Sequence, residues 1–298
     1  MTNPHADRVK AVRALATRSG RRRAGRYVVE GPQAVREVVR WAPGTVRDVY
    51  LTAGAADRYA EIVADAEAAR LHVHLGDEAV LDAMSPDAQG VLAVADLPDA
   101  ARTAAVDEVP VGPSGAEALD AVLAARPRLV AVLAQVRDPG NAGTVIRVAD
   151  AAGADAVVVA GDSVETTNPK VVRSTAGSLF HLPVVSGVSV ADAVDALRAA
   201  GLAVLAADGT GDLDLDDLQD AAAVAGAGTG TAAETAAAPA DLRAATAWLF
   251  GNEAWGLPPE DRDRADAVVR VPLRGRAESL NLGTAAAVCL YASSRAHR

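Results

Sequence analysis

The 298-residue chain is short of several things: it has one cysteine, two lysines, aromatic residues at only 3%, and no apolar run near the ~18–20 residues that cross a bilayer. Each shortage excludes something. A lone Cys289 rules out a disulfide framework and any cysteine-rich zinc site. The opening stretch, MTNPHADRVK, has no apolar segment behind its charges, so no secretory signal and no membrane insertion are expected, and the expected location is the cytoplasm. No G-x-S-x-G elbow and no Walker A loop is present, which weakens the common hydrolase and nucleotide-hydrolysis readings. What remains is a chain with 50% apolar and 23% charged residues, long enough for two domains or one large α/β unit.

The net charge of −10 at first argues against a polyanionic partner. Its distribution argues otherwise. Residues 1–30 carry eight basic groups, among them Arg21, Arg22 and Arg23, against Asp7 and Glu30, a local balance of +6. Much of the opposing charge sits at Asp212, Asp214, Asp216, Asp217, Asp220, Glu234 and Asp241, where no base intervenes before Arg243. Charge placement, not the total, therefore bears on partners.

Residues 1–96 alternate short apolar strands (Tyr27–Val29, Val46–Leu51, Leu71–Leu75, Val91–Val94) with helical spacing at Val9, Val12 and Leu15 and at Tyr59–Ala69, which predicts a compact α/β domain. Residues 97–128 are rich in Pro, Gly and small residues and are expected to be a linker with a short helix at Ala116–Ala125. From 129 to 298 the pattern is regular. Leu129–Ala134, Gly140–Ala152 and Ala156–Ala160 read as a strand, helix, strand unit, and further strands at Leu182–Val185, Leu202–Ala207, Ala247–Phe250 and Val268–Val271 predict a doubly wound parallel sheet. Residues 209–240, acidic and then Ala/Gly/Thr-rich, are expected to be a disordered insertion.

Two signals are weak: GAGTG at 226–230 follows no strand, and His72 and His74 lack partners for a metal site. Three stretches carry more, because all leave the carboxyl ends of predicted strands, where open α/β sheets place their sites. The first runs from Gln135 through Asn141, Gly143 and Arg147, with Asn141 a candidate helix cap. The second is Leu249-Phe250-Gly251-Asn252-Glu253-Ala254-Trp255-Gly256, a strand ending in a glycine-bounded turn that holds a carboxylate. The third is Val271-Pro272-Leu273-Arg274-Gly275-Arg276-Ala277-Glu278-Ser279-Leu280-Asn281, a basic turn entering the last helix, with Ser279 as candidate cap. Taken singly, each also reads as an ordinary turn or helix start.

Together, in kind, order and spacing, they resemble the SpoU (TrmH-like) branch of the SPOUT RNA methyltransferases. Asn168-Pro169-Lys170 through Phe180 resembles the family's intervening helix, and Val28-Val29-Glu30-Gly31 with Gln89-Gly90-Val91 resembles the L30e-like RNA-binding domain often fused ahead of it. The resemblance implies a trefoil-knotted α/β domain at 129–298 behind an L30e-like domain at 1–96, a homodimer, and S-adenosylmethionine as cofactor. It assigns Asn141, Arg147, Glu253, Ser279 and Asn281 to catalysis, and Phe250, Gly251, Val271, Leu273 and Leu280 to the cofactor. Arg21, Arg22, Arg23, Arg274 and Arg276 are the expected RNA contacts, arginine side chains rather than stacking platforms because aromatics are scarce. No metal is expected.

The implied reaction is methyl transfer to a ribose 2′-hydroxyl, in rRNA before tRNA. The alternatives are resistance-conferring rRNA methylation and a non-catalytic RNA-binding assembly factor. The family arginine matching Arg147 is assigned as general base, but a guanidinium pKa above ~12 favours its holding phosphate and ribose and stabilising the developing alkoxide. The family commonly continues with Val-Ser after Asn281, whereas Leu282-Gly283-Thr284 stands here. Trp255 either stacks on a flipped-out base or packs on its loop.

Overall fold

The computed structural model describes residues 1–98, 115–226 and 240–298. The chain divides into two compact units, one holding the described residues through 98 together with Glu165–His181, the other holding Gly115–Val164 and the chain from Leu182 onward. The segment resembling the intervening helix thus belongs with the N-terminal unit, a division that spacing along the chain does not reveal. Half of the expected linker, the tail of the expected insertion and nearly all of the GAGTG stretch lie outside the described residues.

The first unit contains helices α1 (Asp7–Ala14) and α2 (Arg18–Ala24), β1 (Arg26–Glu30), α3 (Pro32–Trp41), β2 (Val46–Leu51), α4 (Ala53–Arg58), α5 (Ala60–Ala68), β3 (His72–Leu75), α6 (Glu78–Met84) and β4 (Val91–Asp96). Its sheet has the order β1-β4-β2-β3, antiparallel except for the parallel pair of β2 and β3. Alternation along the strands buries both faces. Tyr27, Val29, Val91, Ala93 and Ala95 point to one core with α3 and α5, and Val28, Leu92 and Val94 point to another with α1 and α6. His74 is bonded to Asp48 and stacked on Tyr50, an account that needs no metal.

One arginine departs from expectation. Arg21 is only 3% exposed, donates to the carbonyls of Leu15 and Ala16, and pairs with Glu165, which also takes Arg18 at 2.7 Å and Arg22 at 3.9 Å. A carboxylate from the distant 165–181 segment therefore engages Arg18, Arg21 and Arg22, and of the three expected contacts Arg21, Arg22 and Arg23 only the last is exposed and outside these pairs. Arg21 holds the unit together instead of reaching for a partner.

The second unit contains α7 (Gly115–Ala124), β5 (Leu129–Ala134), α8 (Pro139–Ala151) and β6 (Ala156–Ala160). The chain then passes through α9 (Pro169–Ser174) of the first unit and returns for β7 (Val184–Ser186), α10 (Val190–Ala199), β8 (Ala203–Ala207), β9 (Leu213–Asp214), α11 (Leu215–Gly226), β10 (Thr246–Phe250), α12 (Pro259–Arg262), β11 (Ala267–Arg270) and α13 (Leu282–Ala296). All seven strands are parallel, in the order β7-β6-β5-β10-β8-β11-β9. Both faces are covered, so the strands read as continuous apolar runs. Val130, Val132, Val204, Ala247 and Leu249 pack on α7 and α10. The alternate residues face α8 and α13, where buried Trp248 donates its indole N–H to Ser293 at 2.9 Å. Burial pushes the nearby Cys289 thiol up to about 12, so it remains a small apolar filler.

Residues 209–226 correct the expectation of disorder. They form β9 on the sheet edge beside β11 and the helix α11, which packs on α13 and buries Leu215 and Leu218. Two leucines among many acids are too few to show as periodicity, yet one buried turn of contacts fixes the helix. No helix among the described residues is long and apolar enough to cross a membrane.

Candidate functional site

The sheet changes winding direction beside β5, and the segments leaving the carboxyl ends of β8, β10 and β11 surround a cleft of about 670 Å³. Of the expected residues, Asn141, Glu253, Ser279, Asn281, Gly251, Val271, Leu273 and Leu280 line it. Phe250 does not, because its ring is buried in the core beside Trp248. Arg147 does not either; it lies exposed on α8. Six residues separate it from Asn141, which at about 100° per residue turns it roughly 120° away around the same helix.

Asp138, not Asn141, caps α8, accepting from the Asn141 backbone N–H at 2.8 Å, with Pro139 at the first helical position. Asn141 is thereby freed for a side-chain role: its Oδ1 accepts from Asn281 Nδ2 at 2.8 Å. Asn281, not Ser279, caps α13, accepting at Oδ1 from Gly283 and Thr284. Ser279 is left exposed at the cleft. The departure at Leu282-Gly283-Thr284 has a packing reason, since a Cβ at Gly283 would come within 2.5 Å of the Thr144 side chain where α13 meets α8.

The turn after β10 is closed on itself. Asn252 and Gly256 exchange both backbone hydrogen bonds, at 3.0 and 2.8 Å, and the Asn252 amide donates to the Gln135 carbonyl while accepting from Ala254 N–H, each at 2.9 Å. Gly251 is obligatory there: a Cβ would lie 2.5 Å from the Gly256 backbone. This turn holds Glu253 outward at the cleft. The stretch 271–280 is the opposite, because among the described residues none of its backbone amides or carbonyls has a hydrogen-bond partner.

Sequence reasoning missed Asp208, Gly209 and Thr210, which follow β8 and line the cleft, with the Asp208 carboxylate accepting from Thr210 N–H at 2.8 Å. Their place at a strand's carboxyl end was the available signal. With Asp208, Glu253 and Glu278, the described lining carries three carboxylates and no cationic side chain. Such a wall favours a cationic ligand and disfavours phosphate. Arg276 is exposed, and Arg274 is exposed but paired with Asp216 of α11, so only the first is uncommitted among the two expected RNA contacts of this unit.

Residues 128–291 match the SpoU rRNA Methylase family, and residues 28–100 match the RNA 2′-O ribose methyltransferase substrate binding family. The chain is 30% identical over 286 residues, 95% of its own length and 94% of the relative's, to the 23S rRNA (guanosine(2553)-2′-O)-methyltransferase RlmP of Bacillus subtilis. It is likewise 30% identical to the 23S rRNA (guanosine-2′-O-)-methyltransferase RlmB of Bordetella pertussis, covering 91% of this chain and 98% of that one. Among solved structures it is similar to the SpoU methyltransferase AviRb of Streptomyces viridochromogenes in complex with AdoMet (TM-score 0.71, 29% identity, 97% of this chain and 98% of that one). An AdoMet-bound rRNA methyltransferase of Sinorhizobium meliloti gives TM-score 0.72 at 25% identity over 99% of this chain and 97% of that one.

Proposed function

The chain belongs to the SpoU rRNA methylase family, and from that premise we propose that it transfers a methyl group from S-adenosylmethionine to a ribose 2′-hydroxyl of ribosomal RNA in the cytoplasm. The observation that carries the reading is the cleft itself, with its acidic wall and its unpaired backbone at 271–280. S-adenosylmethionine, when bound, supplies an electrophilic sulfonium methyl. Its positive charge suits Asp208, Glu253 and Glu278, and its polar groups suit the free amides and carbonyls of the 271–280 stretch beside Gly251, Val271, Leu273 and Leu280.

The residues of this chain then have separable tasks. Asn281 fixes the Asn141 side chain by the 2.8 Å bond, so that Asn141 presents its own N–H donors at the cleft mouth beside Ser279 and Glu253. These three groups orient the target nucleotide, and orientation is worth about 7–11 kcal/mol of a barrier in the best intramolecular cases. Arg147 stabilises the alkoxide developing on the 2′-oxygen. Arg23 and Arg276 contact RNA phosphates.

Because Arg147 and Asn141 point about 120° apart around one helix, the arginine that completes a cleft comes from a second copy. The exposed face of α13 supports this, with Val288 39% and Tyr291 51% exposed on a helix packed against α8, which carries Arg147. We therefore place a homodimer interface on α8 and α13. The sheet order, with β10 inserted between β5 and β8, agrees with a knotted passage of the chain at this end, an exception to the usual avoidance of knots.

The test is complementation. Arg147→Ala is expected to lower kcat by about 100-fold or more while S-adenosylmethionine still binds in calorimetry. Mixed with the cleft variant Glu253→Gln, whose exposed side chain can change without disturbing the turn, it regains about a quarter of the wild-type rate through random pairing of subunits. Arg147→Lys stays poorly active, since an ammonium lacks the planar fork. No heat of S-adenosylmethionine binding to the folded wild type overturns the methyltransferase reading; absence of complementation between exchanging dimers overturns the shared site.

A further inference from the structure

Three tryptophans stand in very different settings. Trp248 is fully buried and hydrogen-bonded to Ser293, as a packing residue is, and Trp41 belongs to the first unit. Trp255 is 50% exposed at the tip of the 251–257 turn, two positions beyond Glu253 of the cleft lining. The turn cannot readily fold it away, because the paired Asn252–Gly256 bonds and the Asn252 bond to Gln135 fix its base.

A second observation concerns Arg137. Its guanidinium carbon lies 5.4 Å from the centroid of the Trp255 ring, and its Nη2 donates to Asp162 Oδ2 at 2.7 Å. Both Arg137 and Asp162 are well exposed, so this is a surface assembly, held in place without burial. Indole and guanidinium both offer flat, weakly hydrated faces, and the Asp162 bond holds the guanidinium beside the indole. That combination is how proteins grip unstacked bases, the aromatic face taking the base and the cation favouring the backbone next to it. Of the two exposed tryptophans, Trp255 is the one beside the cleft, next in the chain to Gly256 of its lining.

We propose that Trp255, with Arg137 over its ring, is the platform on which an unpaired base of the RNA substrate stacks as its ribose enters the cleft. A purine overlaps an indole more fully than a pyrimidine, so purine nucleotides are the preferred occupants. This rests on the methyltransferase reading and refines the expectation that RNA contacts are made by arginines alone.

Methyl transfer to ribosomal RNA from cells lacking the gene separates the possibilities. Trp255→Ala raises KM for RNA by roughly 10-fold or more, the fold-change expected for one lost base–aromatic stack, and Trp255→Phe restores most of it. S-adenosylmethionine affinity is unchanged in both. A Trp41→Phe protein, left with buried Trp248 and exposed Trp255, loses indole fluorescence on addition of single-stranded RNA, more with oligo(A) than with oligo(U). An unchanged KM in Trp255→Ala overturns the platform. So does a parallel loss of RNA and cofactor affinity, since that marks a merely structural role. Absence of any methyl transfer by the wild type sinks the enzymatic reading, whereas the fluorescence titration still decides whether a base stacks on Trp255.

Discussion

The turn 251–257 and the loop 271–281 both leave carboxyl ends of strands in one sheet and both line the cleft, yet their backbones are arranged in opposite ways. The turn satisfies itself through Asn252, Gly256 and the bond to Gln135, and its glycines let the chain fold onto its own backbone. The loop has no such bonds until Asn281 caps α13. Residues 273–279 are exposed, so their backbone donors and acceptors are open to water or to a ligand. Labour is divided between them: the turn is a preformed wall that aims Glu253 and Trp255, and the loop presents open donors and acceptors beside the cleft.

The largest test of that contrast is Gly251→Ala. The new Cβ would meet the Gly256 backbone at 2.5 Å, with no flexible side chain to yield, so a loss of about 1–3 kcal/mol of stability is expected. Thermal unfolding measures it; a melting temperature equal to wild type would mean that the turn is not rigid. Next, saturating S-adenosylmethionine should slow amide hydrogen exchange at residues 271–280 by an order of magnitude or more and leave 251–257 nearly unchanged. Equal protection of both segments would dissolve the distinction. The smallest effect belongs to Gly275→Ala: a Cβ there meets nothing within 4 Å, and the change in stability should stay within about 0.5 kcal/mol. A larger loss in denaturant unfolding would reveal that the loop is already closely packed.

Much of this was legible beforehand, for local reasons. Strands β5 and β6 begin and end where their apolar runs do, since a parallel strand buried on both faces must be apolar throughout. The three motif stretches fall beside one cleft because each follows a strand's carboxyl end. The caps were misread by a few residues, at Asp138 against Asn141 and at Asn281 against Ser279, because several adjacent residues could serve and only the chain's path chooses.

The alternation of elements, the parallel sheet and the identity of most polar groups at the cleft follow from the order of residues, because all depend on neighbours a few positions apart. Tertiary structure alone decided the rest. It turned Arg21 from an exposed contact into a buried partner of Glu165, anchored α11 through Leu215 and Leu218, brought Asp208 to the cleft, and kept Arg147 out of it. Each of these depends on where a charge or an apolar face finds its partner many residues away, and periodicity carries no such information. The scarcity of aromatics has the same character. Counting them argued against a stacking surface, whereas the place of one, half in water beside the cleft with an arginine on its ring, argues for it.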